Sequence, residues 1–415
     1  MTQPYLQAKT IVSRLVQAGY TAYFAGGWVR DYVMGHPSQD IDIATDAPPT
    51  VIMSLFSQTL LVGLQFGIVI VVIEGQQFEV ATFRKDLAYK DGRHPIGIEL
   101  STPEEDALRR DFTINGMFYD PLNKIIHDYV GGQDDIKRGI IRTIGNPQER
   151  FFEDRLRMLR AFRFSARFDF AIESATQDAI RNNASLFFPA VAIERVWLEF
   201  SKMAKYPRFN QALVEMYRLG LLQMIFPEIS QISLIEIQQQ TDSYAHFPSD
   251  TPTIFYLMEL FRDCSIKQKM EIAQRLKISK REIEAVEFFD SVEKSIQQEK
   301  QLNTINLCQW VLLFAHPKCK MVLHILAARK PLPEREPFLD FYRKRLHQLY
   351  PHVERKKMRE SIVSAAILQE YGVKPGPRMG VLLKEAERIA IEEDLGEVPP
   401  VLSRLQQLPI WKDHA

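Results

Sequence analysis

The feature that most constrains this chain is a change of texture near residue 150. Ahead of it, short β-rich runs alternate with helix-like segments. "TAYFAGG", "DIDIAT", "IIHDYV" and "IIRTIG" have strand character. "LVGLQFGIVIVVIEGQQFEVATF" holds two more β-rich runs, with "EGQQ" predicted as the hairpin turn. "YLQAKTIVSRLVQAG" reads as a helix with Leu6, Ile11, Leu15 and Val16 near helical spacing. Beyond residue 150, "FFEDRLRMLRAFRFSARF", "AIERVWLEFSKMAK" and "RFNQALVEMYRLGLLQMIF" are successive amphipathic helices, and strand-like alternation stops. The expectation is an α+β chain: a head with a small mixed sheet, then a long helical part. The stretch "RKPLPEREPF" (329–338) reads as a linker or sharp corner.

Composition narrows the setting more than the function. Lys+Arg and Asp+Glu both number 52, so net charge gives no sign of a nucleic-acid partner, and any such surface must arise from local segregation of charge. The three cysteines, Cys264, Cys308 and Cys319, are scattered, which argues against a cysteine zinc cluster and suits a reducing compartment. No secretory signal and no apolar run of membrane-spanning length is read, so the expected location is the cytoplasm, away from membranes.

The chemistry-bearing residues begin at "AGGWVRDYVMGHPSQDIDIAT" (25–45). On a strand, Asp40 and Asp42 project to one face while Ile41 and Ile43 project to the other. Adjacent carboxylates repel unless a cation lies between them, and a hard divalent cation such as Mg²⁺ shares one or two carboxylates with substrate phosphates. Gly26 and Gly27 let a backbone approach phosphate closely, and Arg30 follows on the first turn of a helix, where N–H groups also favour anions. Glu79, between core-facing Phe78 and Val80, is a candidate third carboxylate, with Asp111 as the competitor.

"GGWVRD" followed by "DIDIAT" resembles the opening signature of the nucleotidyltransferases that include tRNA CCA-adding enzymes and bacterial poly(A) polymerases. "RRDFTINGMFYD" (109–120) and "DYVGGQDDIKRGIIRTIGNPQERFFEDRLRMLRAFRFSARFDF" (128–170) are similar to the blocks that follow in that family, in the same order. The resemblance covers roughly residues 20–220, and "GVKPGPRMGVLL" (372–383) resembles a tail element of bacterial members. It implies a head (1–140), a neck (141–220), a body (221–330) and a tail (331–415), the last three all-helical. It also implies transfer of C and A from CTP and ATP to the tRNA 3′ end, with Mg²⁺ held by Asp40 and Asp42 and pyrophosphate released. In "RRDFTIN" it assigns ribose and phosphate recognition, which brings in Arg110, Asp111 and Asn115.

Asp154, Arg157, Arg160 and Arg163 fall at three-residue steps and are expected on one helical stripe, beside an apolar stripe of Leu156, Leu159 and Phe162. The resemblance implies that Asp154 and Arg157 read the incoming base, with Arg160 and Arg163 serving phosphates or orienting that pair. Cytosine and adenine each present an amino donor beside a ring-nitrogen acceptor, which suits a carboxylate beside a guanidinium. Uracil and guanine present the reverse pattern and would leave groups unmet, at about 1–3 kcal/mol each.

Complete CCA addition, CC-only or A-only addition and poly(A) synthesis remain open at this point, with an inactive RNA-binding protein as a reading of another class. The charged stretch 84–110 reads as a long mobile loop of the kind that CC-only members shorten. Leu64 and Gln65 stand where poly(A) polymerases of this branch carry a basic pair. The helical part must hold the tRNA. "YRKRLHQLYPHVERKKMRE" (342–360) and "KPGPRMG" (374–380) supply Lys356, Lys357, Arg359, Lys374 and Arg378 as candidate backbone contacts.

Overall fold

The computed structural model describes residues 2–36, 38–60, 67–86, 98–302 and 306–412, in two compact units, Met1–Gln238 and Gln239–Ala415. The first unit opens with strands β1 (Ala22–Ala25), β2 (Asp42–Thr45), β3 (Thr59–Leu60), β4 (Ile68–Ile73), β5 (Gln76–Thr82), β6 (Arg84–Asp86), β7 (Ile98–Leu100), β8 (Met117–Asp120) and β9 (Ile125–Asp128). Seven of them form one sheet in the order β3-β4-β5-β2-β1-β8-β9. Only β2 and β5 run parallel within it, so the sheet is mixed, as expected. The β4–β5 hairpin turns at Glu74 and Gly75, both at positive φ (50° and 80°), a combination typical of tight hairpin turns.

Helices α1 (Gln3–Gln17), α2 (Gly27–Val33), α3 (Pro49–Leu55), α4 (Pro103–Leu108) and α5 (Gly132–Arg138) belong to the sheet-bearing part. The apolar face of α1 is rotated from the one expected. Tyr5, Ala8, Ile11, Val12 and Leu15 are buried, whereas Leu6 and Val16 are exposed. The aromatic pair Tyr5 and Phe24, in edge contact at 5.6 Å, fixes that rotation by docking the helix on β1. Within the predicted mobile loop, β6 and β7 pair antiparallel, and α4 follows with Thr102 accepting from the Glu105 N–H. The remainder of that loop, 87–97, lies outside the described residues, as do Leu64 and Gln65.

Helices α6 (Pro147–Glu153), α7 (Leu156–Phe168), α8 (Ser174–Asn183) and α9 (Ile193–Met203) follow. Leu156, Leu159 and Phe162 of α7 are buried, as the spacing predicts.

In the second unit every described element is helical. Of the stretch 329–338 expected as a linker or sharp corner, only 329–331 is a break, between the helices Cys319–Ala328 and Leu332–Gln348; the rest begins the second helix. Pro331 is its N-cap and Pro333 lies in its first turn, where a missing N–H costs nothing, while Pro337 is carried inside it. Ile362, Val363, Leu368, Leu382, Ala390, Val401 and Leu405 build a separate core near the C-terminus. Among the described residues no single helix is long and apolar enough to cross a membrane.

Candidate active site

Strand register brings the opening motif together. Ala25 pairs with Asp42 across β1 and β2, and Ile43 pairs with Val80 across β2 and β5. Asp42 therefore lies beside the glycine corner on one side and level with Glu79 on the other. Ile41, Ile43, Phe78 and Val80 are buried, while Asp40, Asp42 and Glu79 keep solvent access. Asp40 precedes the first residue of β2 rather than lying within it.

The chain turns at Gly26 with φ 66° and ψ −129°, which only glycine adopts without strain. A Cβ there would also come within 3.1 Å of the Arg110 guanidinium. The Asp42 carboxyl is pushed up to about 6, first by the crowding of the surrounding protein and then by Glu79 and Asp40, with Arg110 pulling the other way. Of the two candidates for a third carboxylate, Glu79 is thus the one whose charge acts on Asp42.

Arg30, expected on the first turn of a helix, is on α2 but buried. It is paired to Asp31 at 2.7 Å, donates to the Asn115 side chain at 2.5 Å, and stacks on Phe168 with 4.6 Å to the ring centre. Asn115 in turn donates to Asp111 at 3.0 Å. Asp111 is held firmly from several sides. Its carboxylate accepts from Arg160 at 2.5 and 2.7 Å and from the Phe112 N–H at 2.9 Å. Burial alone would raise its pKa, but Arg160 and Asn115 outweigh that and hold it at about 2. Arg110 pairs with Asp106 at 2.9 Å and lies over Phe118.

The arginine stripe departs from expectation at its first member. Asp154 is not on α7. It is the C-cap of α6, with extended backbone (φ −146°, ψ 103°), and the new helix begins after Arg155. One Asp154 oxygen accepts the Leu156 N–H at 3.0 Å and so caps α7, while the other accepts from Arg195 of α9 at 2.9 Å. The helix-starting tendency of an aspartate explains the break, which no glycine or proline announces. Three arginines of the stripe are each held by a carboxylate. Arg157 meets Glu153 at 2.6 Å, Arg160 meets Asp111, and Arg163 meets Glu199 at 2.6 Å.

These groups line one open cleft of about 500 Å³. Its walls include Gly26, Gly27, Arg30, Asp42, Arg110, Asp111, Asn115, Asp154, Arg157, Arg160 and Arg163, all anticipated from sequence. Arg109, Leu156, Phe164, Arg167 and Arg195 complete it and were not anticipated. Arg109 could have been found beside Arg110, and Arg167 one turn beyond Arg163. Arg195 had no local signal, because only the packing of α9 on α7 brings it in. Asp40 and Glu79 flank Asp42 without lining the cleft itself.

The carboxylate cluster fits a hard divalent cation. It offers only oxygen donors, and crowding by the surrounding protein, reinforced by the neighbouring carboxylates, raises Asp42 towards neutrality. Among the described residues no three His, Cys, Asp or Glu side chains converge into a closed metal cage.

The candidate RNA-contact residues divide. Lys374 is exposed, and Lys357 pairs with its helical neighbour Glu354, at 2.8 Å. Lys356 and Arg359 border a groove against the helix Pro377–Glu392. Arg378, in contrast, donates to the carbonyls of Ile410 and Trp411 at 3.3 and 2.6 Å, so it pins the last helix. The basic run at 342–360 is also partly internal. Tyr342 is buried against Trp310, and Arg345 is clamped to Glu299.

Residues 22–142 match the poly(A) polymerase head domain family, and residues 169–232 match the family described as a probable RNA and SrmB-binding site of polymerase A. The CCA-adding enzyme of Pediococcus pentosaceus is 30% identical over 95% of this chain and 96% of its own length. That of Bacillus licheniformis is 42% identical over 53% of this chain and 55% of its own. The crystal structure of the Bacillus stearothermophilus CCA-adding enzyme in complex with CTP superposes with a TM-score of 0.77, at 27% identity and 98% coverage of both chains.

Proposed function

The chain belongs to the family of CCA-adding enzymes, and from that premise we propose that it is a tRNA nucleotidyltransferase that adds C and A from CTP and ATP to the tRNA 3′ end. The observation that carries this reading is the convergence, in one cleft, of the glycine corner, Asp42 and the Asp154–Arg157 pair. In the reaction the 3′-hydroxyl oxygen of tRNA bonds to the α-phosphorus of the nucleotide, the bond to the β-phosphate oxygen breaks, and pyrophosphate leaves. The hydroxyl proton passes to water.

Asp40 and Asp42, with Glu79 beside them, are the residues that would hold Mg²⁺. When bound, the metal supplies charge neutralisation of the phosphates and acidity at the attacking hydroxyl. Gly26 and Gly27 present backbone to the triphosphate. Arg110 adds positive charge next to Asp42, and Arg160, fixed by Asp111, adds it deeper in the cleft. Arg30 is assigned a holding role, because its buried guanidinium fixes Asn115 and, through it, Asp111.

Base choice falls to Asp154 and Arg157. The carboxylate accepts from the amino group shared by cytosine and adenine, and the guanidinium donates to the neighbouring ring nitrogen. Glu153 and the carbonyls of Arg150 and Arg109 orient that guanidinium. Residues 1–140 then serve as the catalytic head, 141–220 as the neck that reads the base, 221–330 as the body and 331–415 as the tail. Lys356, Lys357, Arg359 and Lys374 supply tRNA backbone contacts, and the cytoplasm is the setting.

The test is incorporation on a tRNA lacking its CCA end. CTP alone should give a CC end, both nucleotides the full CCA, and ATP alone nothing. Long A tracts from ATP alone would overturn the assignment.

A further inference from the structure

Arg195 is absent from the expectations for base choice, yet it makes a defined contact to one of the two proposed readers. Its Nη2 donates to Asp154 Oδ2 at 2.9 Å, and both side chains are about four-fifths removed from solvent, at 20% and 19% exposure. Its position on α9 is unusual. It lies in the first turn, where the helix dipole disfavours a cation, so it does not serve the stability of its own helix. One turn further on, Glu199 holds Arg163 of α7. The same face of α9 thus grips both ends of the polar row that runs from Asp154 to Arg163.

Asp154 needs such a grip. Its backbone is tied to both helices, its N–H donating to the Arg150 carbonyl at 3.3 Å and its carbonyl accepting from the Arg157 N–H at 3.0 Å, but among the described contacts its carboxylate has one other anchor, the Leu156 N–H. Arg157 lies three residues on, and Glu153, its present partner, is adjacent to Asp154. Without Arg195 the Asp154 carboxylate can swing onto Arg157 and compete with Glu153. The acceptor and the donor would then satisfy each other instead of a base edge. A pair collapsed in this way has no geometric reason to reject uracil or guanine.

We infer that Arg195 is a positioning residue for nucleotide selection, holding Asp154 apart from Arg157 so that the two present a fixed acceptor–donor edge to the base. The inference rests on the base-reading role proposed above. A guanidinium suits the task because it holds a carboxylate oxygen at fixed angle, which a flexible ammonium does less well.

The test uses the full-length protein and a CCA-lacking tRNA, with kcat/KM measured for CTP, ATP, UTP and GTP in wild type, Arg195→Met and Arg195→Lys. The expected result is a fall of about tenfold or more in the CTP-over-UTP ratio for Arg195→Met. Arg195→Lys should recover part of that ratio, and the affinity for tRNA should not change. A rate that drops equally for all four nucleotides, with the ratio intact, makes Arg195 a packing residue and overturns the inference while leaving the activity standing. Wild type that incorporates neither C nor A overturns the activity and the inference together.

Discussion

Asp42 faces Ala25 across the antiparallel β1–β2 ladder, so a carboxylate stands one residue from a glycine corner that closes on Arg110. That neighbourhood sets up an opposition between stability and activity. Crowded by the surrounding protein and flanked by Glu79 and Asp40, the Asp42 carboxyl is raised from 3.8 to about 6 in the folded chain. A carboxyl raised on folding favours the folded state while protonated, and the benefit is lost as pH rises from about 4 through about 6. Without divalent cation, Asp42→Asn should therefore melt higher than wild type at pH 7, and the two should converge near pH 4. Added Mg²⁺ should raise the melting temperature of wild type alone. Incorporation should vanish in Asp42→Asn while tRNA binding persists. Calorimetry across that pH range, with and without Mg²⁺, is the check, and a variant no more stable than wild type at pH 7 contradicts the repulsion.

The glycine corner gives a second prediction, this one steric. Gly26 holds a backbone conformation that side chains rarely adopt, and a Cβ would press on the Arg110 guanidinium at 3.1 Å. Gly26→Ala should cost about 1–3 kcal/mol of stability and displace Arg110 from its place beside Asp42. Denaturant titration should show the first effect and a raised KM for both nucleotides the second. Gly27→Ala, whose nearest neighbour would be the Arg30 guanidinium at an ordinary 3.5 Å, should be milder in both assays.

The contrast between these neighbouring glycines shows what the sequence alone makes legible. The strand pairing that delivers Asp42 and Glu79 follows from period-two alternation, so those residues were readable with their faces. The helical remainder was readable instead from apolar residues at helical spacing. The Asp154 break was not, because "FFEDRLRML" contains no glycine or proline and continues a helical pattern on both sides. What marks the break after α6 is the Asp154 carboxylate accepting a hydrogen bond from the Leu156 N–H, a local competition that spacing does not record. The partners of the arginine stripe were hidden differently. Asp111 and Glu199 come from segments remote in sequence, so the spacing of the row did not reveal that its arginines are paired charges.

Asp111 and Arg160 supply the third prediction. The Asp111 carboxyl is depressed from 3.8 to about 2, so its stabilising contribution is present above the ordinary carboxylate range and is lost as pH falls through about 2. The shift corresponds to roughly 2 kcal/mol. Asp111→Ala should destabilise the first unit by about that amount near neutral pH, and the difference from wild type should shrink progressively below pH 4. Asp111→Asn keeps a partner for Asn115 but loses the charge facing Arg160, so it should fall between the two. Chemical denaturation at pH 7 and pH 3 separates these cases. Equal losses at both values would remove the charge pair as the cause.

The tail offers the last prediction, because two kinds of basic residue there look alike in sequence. Arg378 reaches the carbonyls of Ile410 and Trp411, within the short last helix Pro409–Lys412. Arg378→Ala should lower the melting temperature and leave the salt dependence of tRNA binding unchanged. Lys374 is exposed, Lys357 has a surface partner, and Lys356 and Arg359 face a solvent-open groove. Such charges add little to stability. If they contact the tRNA backbone, each should contribute to the dependence of log K on log salt by about one unit or less. Replacing Lys356, Lys357 and Arg359 together by Ala should leave melting nearly unaltered, weaken tRNA binding at low salt, and flatten that dependence. Binding isotherms at graded salt, paired with thermal melts, assign each residue to one group or the other. An Arg378→Ala variant that melts like wild type but flattens the salt dependence would move Arg378 to the RNA-contacting group.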